Sequence, residues 1–313
     1  MASSETRSPN SWTIGTLWDM TKRVQVVTFI GAGGKTTCLR SLTREIDSTG
    51  HRVIATTTTK VFPEESMRVW KNPSPPADEQ AGACFWYVDV EDKSGKWMGP
   101  PVSSVDAAIA GAGLSASQRT ISALKKCKLE NRPRLAKMQV QEPFPTCTSS
   151  RTAPNLHPTC MHWVIEGDGA KGLKLKCWAP REPQIPQRSD CVVLVLDGGL
   201  WGRVLQADQV HRPANCLDLL GQVWNAEQAW RYFLRSPVFA PQYGQMSWVI
   251  LLNIHGENAE NEDLVEPLKC LHDLRHRWIE IQWEVKDLNY RPKHLRITAG
   301  DAKEGKLQWF DLW

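Results

Sequence analysis

The sequence has no long apolar run. Its longest, Cys191 to Leu196 and Trp248 to Leu252, are only strand length, whereas a membrane span needs about 20 apolar residues. It has little excess charge, since 38 Lys+Arg against 34 Asp+Glu leave a net +4 over 313 residues. That balance excludes the strongly basic surface that would predict a nucleic-acid or membrane partner. No CxxC pair occurs among the 9 cysteines. An odd count without such pairs predicts reduced thiols rather than a disulfide framework. Met1 to Asn10 is polar and Ser-rich and lacks the apolar centre of a secretory signal. The expected location is therefore cytoplasmic. Tyrosine is scarce, 4 residues against 15 Trp, and the tryptophans read as packing residues rather than a binding platform. No Ser-His-Asp or HExxH pattern stands out.

What remains is the composition of a globular chain, 41% hydrophobic and 23% charged. Residues 1–20 read as a loose N-terminal arm with a short amphipathic stretch around Ile14 to Trp18. Val24 to Ile30 is an apolar, β-branched run that predicts a buried strand. A glycine-rich stretch follows, and then Leu39, Leu42 and Ile46 recur at helical spacing until Gly50. Arg52 to Ala55 predicts a second strand, which ends in the run Thr56 to Thr59. Strand, glycine loop, helix and strand in that order make a βαβ unit, and a βαβ unit implies a parallel sheet with covering helices.

The prolines of 63–83 predict loop, and Phe85 to Val90 a strand. Residues 100–160 form a loop-rich insertion with a basic helix expected at Ser117–Leu129. Further strands are expected at His162 to Ile165, Cys191 to Leu196, Trp248 to Asn253, Ile279 to Glu284 and His294 to Thr298. Helices are expected at Asn225–Leu234 and Asn261–Trp278. Residues 21–313 then make a single P-loop NTPase-like α/β domain. Its sheet is mostly parallel and flanked by helices.

The glycine-rich stretch is Gly31-Ala32-Gly33-Gly34-Lys35-Thr36-Thr37. A P-loop reads GxxxxGK and then Ser or Thr. Here the Gly-Lys-Thr end is present, but the first glycine of the full spacing falls at Phe29. The loop is a shortened version with the same physics. Glycines free the backbone N–H groups to face a phosphate, and the helix N-terminus adds partial positive charge. Lys35 would neutralise phosphate charge and Thr36 would hold Mg²⁺.

Such a loop needs a carboxylate at the end of a neighbouring strand. Trp163-Val164-Ile165-Glu166-Gly167-Asp168 supplies two, Glu166 and Asp168, as metal ligands and catalytic acids. Lys171 follows as a phosphate or substrate contact, while Lys174 and Lys176 read as a solvated face. Thr58 and Thr59 would sit at the phosphate edge of the sheet. Asp197 lies at another strand's C-terminal end, where such sheets bind ligands. His211 and Arg212 would bring a proton carrier and a cation. His157, Cys160 and His162 have spacing compatible with zinc, but only three ligands are close together.

Ile30 to Thr37, Thr56 to Lys60 and Glu166 to Lys171 together resemble the YqeC family, the selenium-dependent hydroxylase accessory proteins. Three further segments agree in order: Lys176 through Arg181 to Pro186, Val210 to Pro213, and Leu251 to Asn253. The match covers about residues 24–100 and 160–255. The resemblance implies a P-loop nucleotide-binding fold, with a role in maturing molybdenum hydroxylases and so a molybdenum-enzyme client as partner. Carried over by position, the loop is Gly31 to Thr37, the acids are Glu166 and Asp168, and His211 and Arg212 join them. Asn253-Ile254-His255-Gly256 lacks the Lys and Asp that would read guanine, so ATP is expected, with GTP as the alternative. The expected protein is a Mg²⁺-dependent nucleotide-binding accessory protein and slow NTPase. A small-molecule kinase or ATP-dependent ligase and a non-catalytic nucleotide-sensing module are the alternatives.

Overall fold

A computed structural model of the chain describes residues 12–77, 82–112, 161–254, 265–283 and 290–313. The first elements are β1 (Thr13–Gly15) and α1 (Leu17–Met20), capped by Thr16 and Asp19 through reciprocal hydrogen bonds. Next come β2 (Val26–Gly31), α2 (Lys35–Ser48), β3 (Arg52–Thr57), β4 (Lys60–Val61) and β5 (Arg68–Lys71). They are followed by β6 (Ala83–Tyr87), β7 (Asp89–Val90), β8 (Trp97–Met98) and α3 (Val102–Ala112). The second half holds β9 (Met161–Glu166), β10 (Leu175–Lys176), β11 (Cys191–Asp197), β12 (Val210–His211) and α4 (Ala226–Leu234). It closes with β13 (Ser247–Asn253), α5 (Pro267–Ile281), β14 (His294–Asp301) and β15 (Lys306–Asp311).

One ten-stranded sheet carries the fold, in the order β1-β15-β14-β13-β11-β2-β9-β3-β6-β5. Every pair from β14 to β5 is parallel, and at one edge β15 alone runs against the rest, pairing antiparallel with both β14 and β1. The α/β class and mostly parallel sheet expected from the βαβ unit are what the chain adopts. Strand β2 sits centrally, buried along its whole length. Its side chains alternate between the two faces. Val27 and Phe29 meet Leu39, Leu42 and Ile46 of α2 and Leu17 of α1. Ile30 packs on the opposite face with Trp230 and Phe233 of α4 and with Leu271, Leu274 and Trp278 of α5. Val26 joins Val105 of α3, Trp86 and Trp163 in a third cluster. Trp86, Trp224, Trp230 and Trp248 are among the largest fully buried side chains, so these tryptophans are packing residues.

The register lines up the C-terminal strand ends. Phe29 and Thr57 both pair with Glu166, Val195 pairs with Gly31, and Asp197 pairs with Asn253. A separate three-stranded sheet, β4-β8-β7, stands beyond β3. It is fastened there because Gly99 N–H donates to Thr59 O at 2.9 Å. A Cβ at Gly99 would fall 1.5 Å from Thr57 O, so only glycine fits.

Several expectations need correction. Residues 13–20 are not a loose arm, because β1 pairs with β15 and Leu17, Trp18 and Met20 are buried. Within 63–83, Arg68–Lys71 adds an edge strand whose half-exposed pattern gives little hydrophobic signal. Residues 102–112 of the expected loop-rich insertion are helix α3. Only Val105 is fully buried there, which is why no apolar stripe marks it. The helix expected at Ser117–Leu129 lies outside the described residues. Ile279 begins no strand, since Leu271, Leu274, Trp278 and Ile281 continue one helical face to the end of α5. Cys177 and Cys216 are joined in a disulfide, whereas all cysteines were expected as thiols. The loops that hold these two cysteines are brought together by the parallel pairing of β10 with β12, which sequence spacing does not reveal. Cys38, Cys84, Cys191 and Cys270 are free and buried. Among the described residues no helix is long and apolar enough to cross a membrane.

Candidate functional site

The loop between β2 and α2 lies against the end of β11. Gly33 has φ +76°, and a Cβ there would come within 2.3 Å of Asp197 N, so both the turn and the contact require glycine. Gly31 approaches Val195 O as closely, and Ala32 N–H donates to that oxygen at 2.9 Å. Asn253 reaches across from β13, donating through Nδ2 to Gly33 O at 2.9 Å. Its Oδ1 accepts from Ala302 N–H at 3.2 Å. With the loop fixed this way, the first helix-type bond comes from Cys38 N–H to Gly34 O at 2.9 Å. The backbone N–H groups of Gly33 through Thr37 take no acceptor among the described residues. They are the orphan donors of a helix N-terminus.

Two acids face this loop and do different things. Glu166, at the end of β9, accepts from Thr36 Oγ1 at 2.9 Å. Its other oxygen is 3.9 Å from Lys35 Nζ. Burial pushes the Glu166 carboxyl above its ordinary value, against the pull of Lys35 and Thr36. Asp168 is only 2% exposed and surrounded by donors. Gly31 N–H reaches both its oxygens, at 3.0 and 3.1 Å, and Trp178 Nε1 donates to Oδ2 at 2.8 Å. Lys35 Nζ lies 3.5 Å away and Lys176 Nζ 3.4 Å away. Lys35 itself donates to Gly31 O at 2.7 Å.

Lys176 is fully buried rather than part of a solvated face. Its ammonium donates to Gly169 O at 2.7 Å and lies 3.6 Å from Glu182. Glu182 is also held by Arg212, at 3.1 Å from Nε and 3.3 Å from Nη2. The parallel pairing of β10 with β12 sets Lys176 beside His211. Burial first, then Lys176 and Arg212, lower the His211 pKa below its ordinary value. Its Nδ1 is buried without a hydrogen-bond partner among the described residues.

A cleft of about 860 Å³ opens over these groups. It brings together Gly33, Gly34, Lys35, Thr36, Thr37, Thr59, Glu166, Lys171 and His211, and adds Asp197 and Glu182. Other expected residues do not line it. Gly31 and Asp168 anchor each other, Thr58 Oγ1 donates to Gln184 O at 2.8 Å, and Arg212 is engaged with Glu182. Ala32 serves the loop through its backbone. Asp197 caps a short 3₁₀ turn by accepting from Gly199 N–H at 2.8 Å. Trp178 and Lys176 carry no local signal of their role, because contact with Asp168 arises only through the fold. Glu182 lies in the Arg181 to Pro186 segment that resembles the family pattern.

The zinc spacing leads nowhere in the described residues. His162 is buried, with Nδ1 3.2 Å from Val24 O and its ring edge-on to Trp18 and His51. His157 and Cys160 lie outside the described residues. Among the described residues no group of three His, Cys, Asp or Glu is placed to hold a metal ion.

The fold and site thus define an α/β protein with a glycine-rich strand-to-helix loop faced by two buried acids at the carboxyl edge of a parallel sheet. The model of one family, described as YqeC protein, matches residues 27–214. The chain belongs to the YqeC family. It is 27% identical over 271 residues to a protein of Escherichia coli (strain K12) described as uncharacterized protein YqeC, covering 82% of this chain and 88% of that one. No solved structure matches it.

Proposed function

We propose that the cleft binds the phosphates of a nucleoside triphosphate and that the protein is a slow, Mg²⁺-dependent NTPase acting as an accessory factor. One observation carries this reading. Five consecutive N–H groups, Gly33 to Thr37, lack acceptors among the described residues at the N-terminus of a 14-residue helix, the arrangement that accepts an anion. Lys35 stands among them with its ammonium parked on Gly31 O and the two acids, ready to turn to a phosphate oxygen.

The residues fit a magnesium ion in part. Thr36 Oγ1 and Glu166 are hydrogen-bonded neighbours in the cleft and together offer the oxygen donors that such an ion takes. Asp168 does not fit, since both its oxygens already face N–H donors or ammonium groups. We assign it instead as the anchor that fixes the loop. When bound, magnesium would neutralise charge on the phosphate oxygens. The chain's own groups orient the phosphates through the loop N–H groups, balance their charge through Lys35, and leave Glu166 to orient a water. Catalysis of this kind rests on positioning and electrostatics. ATP is the proposed nucleotide, and the proposed client is a molybdenum hydroxylase, on the family motifs.

The test is phosphate release from ATP and from GTP by wild type and Lys35→Ala. Slow release by wild type, dependent on magnesium and lost in the variant, is the expected result. Binding without release would move the protein to the sensing class. Release only with an added acceptor would move it to the kinases or ligases. For the accessory role, coexpression should raise the activity of a molybdenum hydroxylase, and Lys35→Ala should not.

A further inference from the structure

The cleft extends well past the loop. Its far wall is the small sheet β4-β8-β7, from which Lys60, Val61, Phe62 and Lys96 line the same cavity as Lys35 and Thr36. Phe62 follows β4 and is 68% exposed. A single exposed aromatic on a protein surface is ordinary. This one differs because it lines the cleft and carries a lysine over its ring, with Lys96 Nζ 4.5 Å from the ring centroid. The ring is the direct contact of the Lys96 ammonium, and the Glu91 carboxylate acts on it from further off.

Lys171 lines the same cleft. It is exposed and has no ion-pair partner among the described residues. Its backbone is held at φ 55°, a left-handed conformation that non-glycine residues seldom adopt. The acids nearby are already engaged. Glu91 pairs with Lys60, and Glu182 pairs with Lys176 and Arg212. Away from the loop the cleft therefore holds an exposed aromatic ring with Lys96 over it, and it is also lined by Lys171, a cation without an ion-pair partner among the described residues.

Sheet order says what this region faces. In a phosphate loop the Lys and the metal-holding Thr contact the terminal phosphates. Thr36 bonds Glu166 of β9. Next in the sheet comes β3, and Gly99 fastens the small sheet to the Thr57–Thr59 end of β3. The far wall thus borders the terminal-phosphate side. On the nucleotide reading the nucleoside would extend the opposite way, toward Asp197 at the end of β11.

We infer that the far wall is a second ligand site, which takes a small anionic molecule with a flat ring, stacked on Phe62 and charge-paired with Lys96 and Lys171. This rests on the nucleotide reading for the placement of the terminal phosphates, but Phe62 and Lys96 are residues that reading does not use. Stacking on an exposed aromatic and pairing with an ammonium are each modest alone. Together they select a phosphorylated or carboxylated ring compound over either part alone.

Flavin mononucleotide is a suitable probe, having a flat ring and a phosphate, with fluorescence that stacking quenches. It is titrated into the full chain held with magnesium and a non-hydrolysable ATP analogue. Riboflavin and inorganic phosphate serve as the ring-only and anion-only arms. Saturable quenching by flavin mononucleotide is expected, with riboflavin and phosphate binding at least about tenfold more weakly. Phe62→Ala and Lys96→Ala should each weaken it by about fivefold or more. These side chains lie at the surface, so both variants should fold and bind the ATP analogue as wild type does. Nucleotide binding without saturable flavin binding would overturn the second site and leave the nucleotide reading intact. Competition between flavin mononucleotide and the ATP analogue would also overturn it, by showing one site rather than two. Flavin binding lost in both variants, in a protein that binds no nucleotide, would uphold the anion site and sink the nucleotide reading.

Discussion

Asp168→Asn separates two roles that this residue can have. As the loop's anchor, Asp168 is a buried charge compensated by two buried ammonium groups, Lys35 at 3.5 Å and Lys176 at 3.4 Å. It also accepts from Gly31 N–H and Trp178 Nε1. The amide would keep one acceptor oxygen and turn an NH₂ group toward donors. Two buried cations would then lose their shared counter-charge, although Lys35 would keep Glu166 and Lys176 would keep Glu182. Removing one member of a buried pair costs about 3–5 kcal/mol. At about 2–4 °C per kcal/mol, that corresponds to a fall in Tm of roughly 6–20 °C. The assay is thermal unfolding in EDTA without nucleotide. The fall should appear in full there, because the anchor works whether or not anything is bound. An unchanged Tm in EDTA, with loss confined to the magnesium-dependent part of nucleotide binding, would refute the anchor assignment and return Asp168 to the metal.

Thr36→Ala and Glu166→Gln should act in the opposite sense, removing the magnesium dependence of nucleotide affinity while leaving the fold in place. Burial raises the Glu166 pKa above its ordinary 4.5, so its stabilising contribution is full below that value and lost as pH rises through the raised one. Unfolding curves of Glu166→Gln should therefore gain on wild type as pH rises from about 4.5 toward neutrality; a gap independent of pH would count against it. Gly33→Ala forces an alanine to φ +76° and against the Asp197 backbone, so it should cost about 1–3 kcal/mol and lower nucleotide affinity. Wild-type affinity and Tm in that variant would show that the loop does not rest on β11. Burial lowers the His162 pKa below its ordinary 6.5, with His51 adding to the shift. Its contribution is full above 6.5 and lost as pH falls through the lowered value. His162→Phe should flatten that acid-side decline, as read from denaturant midpoints between pH 7 and 5.

Much of the centre of the fold was legible in the sequence, and the reasons are local. β2, β9, β11 and β13 are continuous apolar runs because they are buried on both faces, and such runs announce themselves. The loop announces itself by Gly33, Gly34, Lys35 and Thr36 in succession. The acids Glu166 and Asp168 could be seen as a pair at a strand end, but their division of labour could not. It depends on Gly31 N–H, Trp178 and Lys176, and two of those come from a segment whose position is set by β10 pairing with β12. Lys176 illustrates the limit: among polar neighbours in sequence it looks solvated, and tertiary pairing buries it completely. The edge elements were missed for the opposite reason. β5 and α3 carry few fully buried residues, so their hydrophobic pattern is weak. The far wall of the cleft was invisible, since Lys60, Phe62 and Lys96 meet Lys35 only through a small sheet fastened by Gly99.

The central claim is that the orphan N–H groups of Gly33 to Thr37, with Lys35, hold the phosphates of a nucleotide. Isothermal titration of ATP into the full chain with magnesium tests it directly, beside Lys35→Ala and beside AMP, which lacks the terminal phosphates. The account predicts saturable, one-to-one binding of ATP by wild type, and little or none by Lys35→Ala or with AMP. No heat of binding from ATP or GTP to folded wild type, or equal affinity for ATP and AMP, would contradict it.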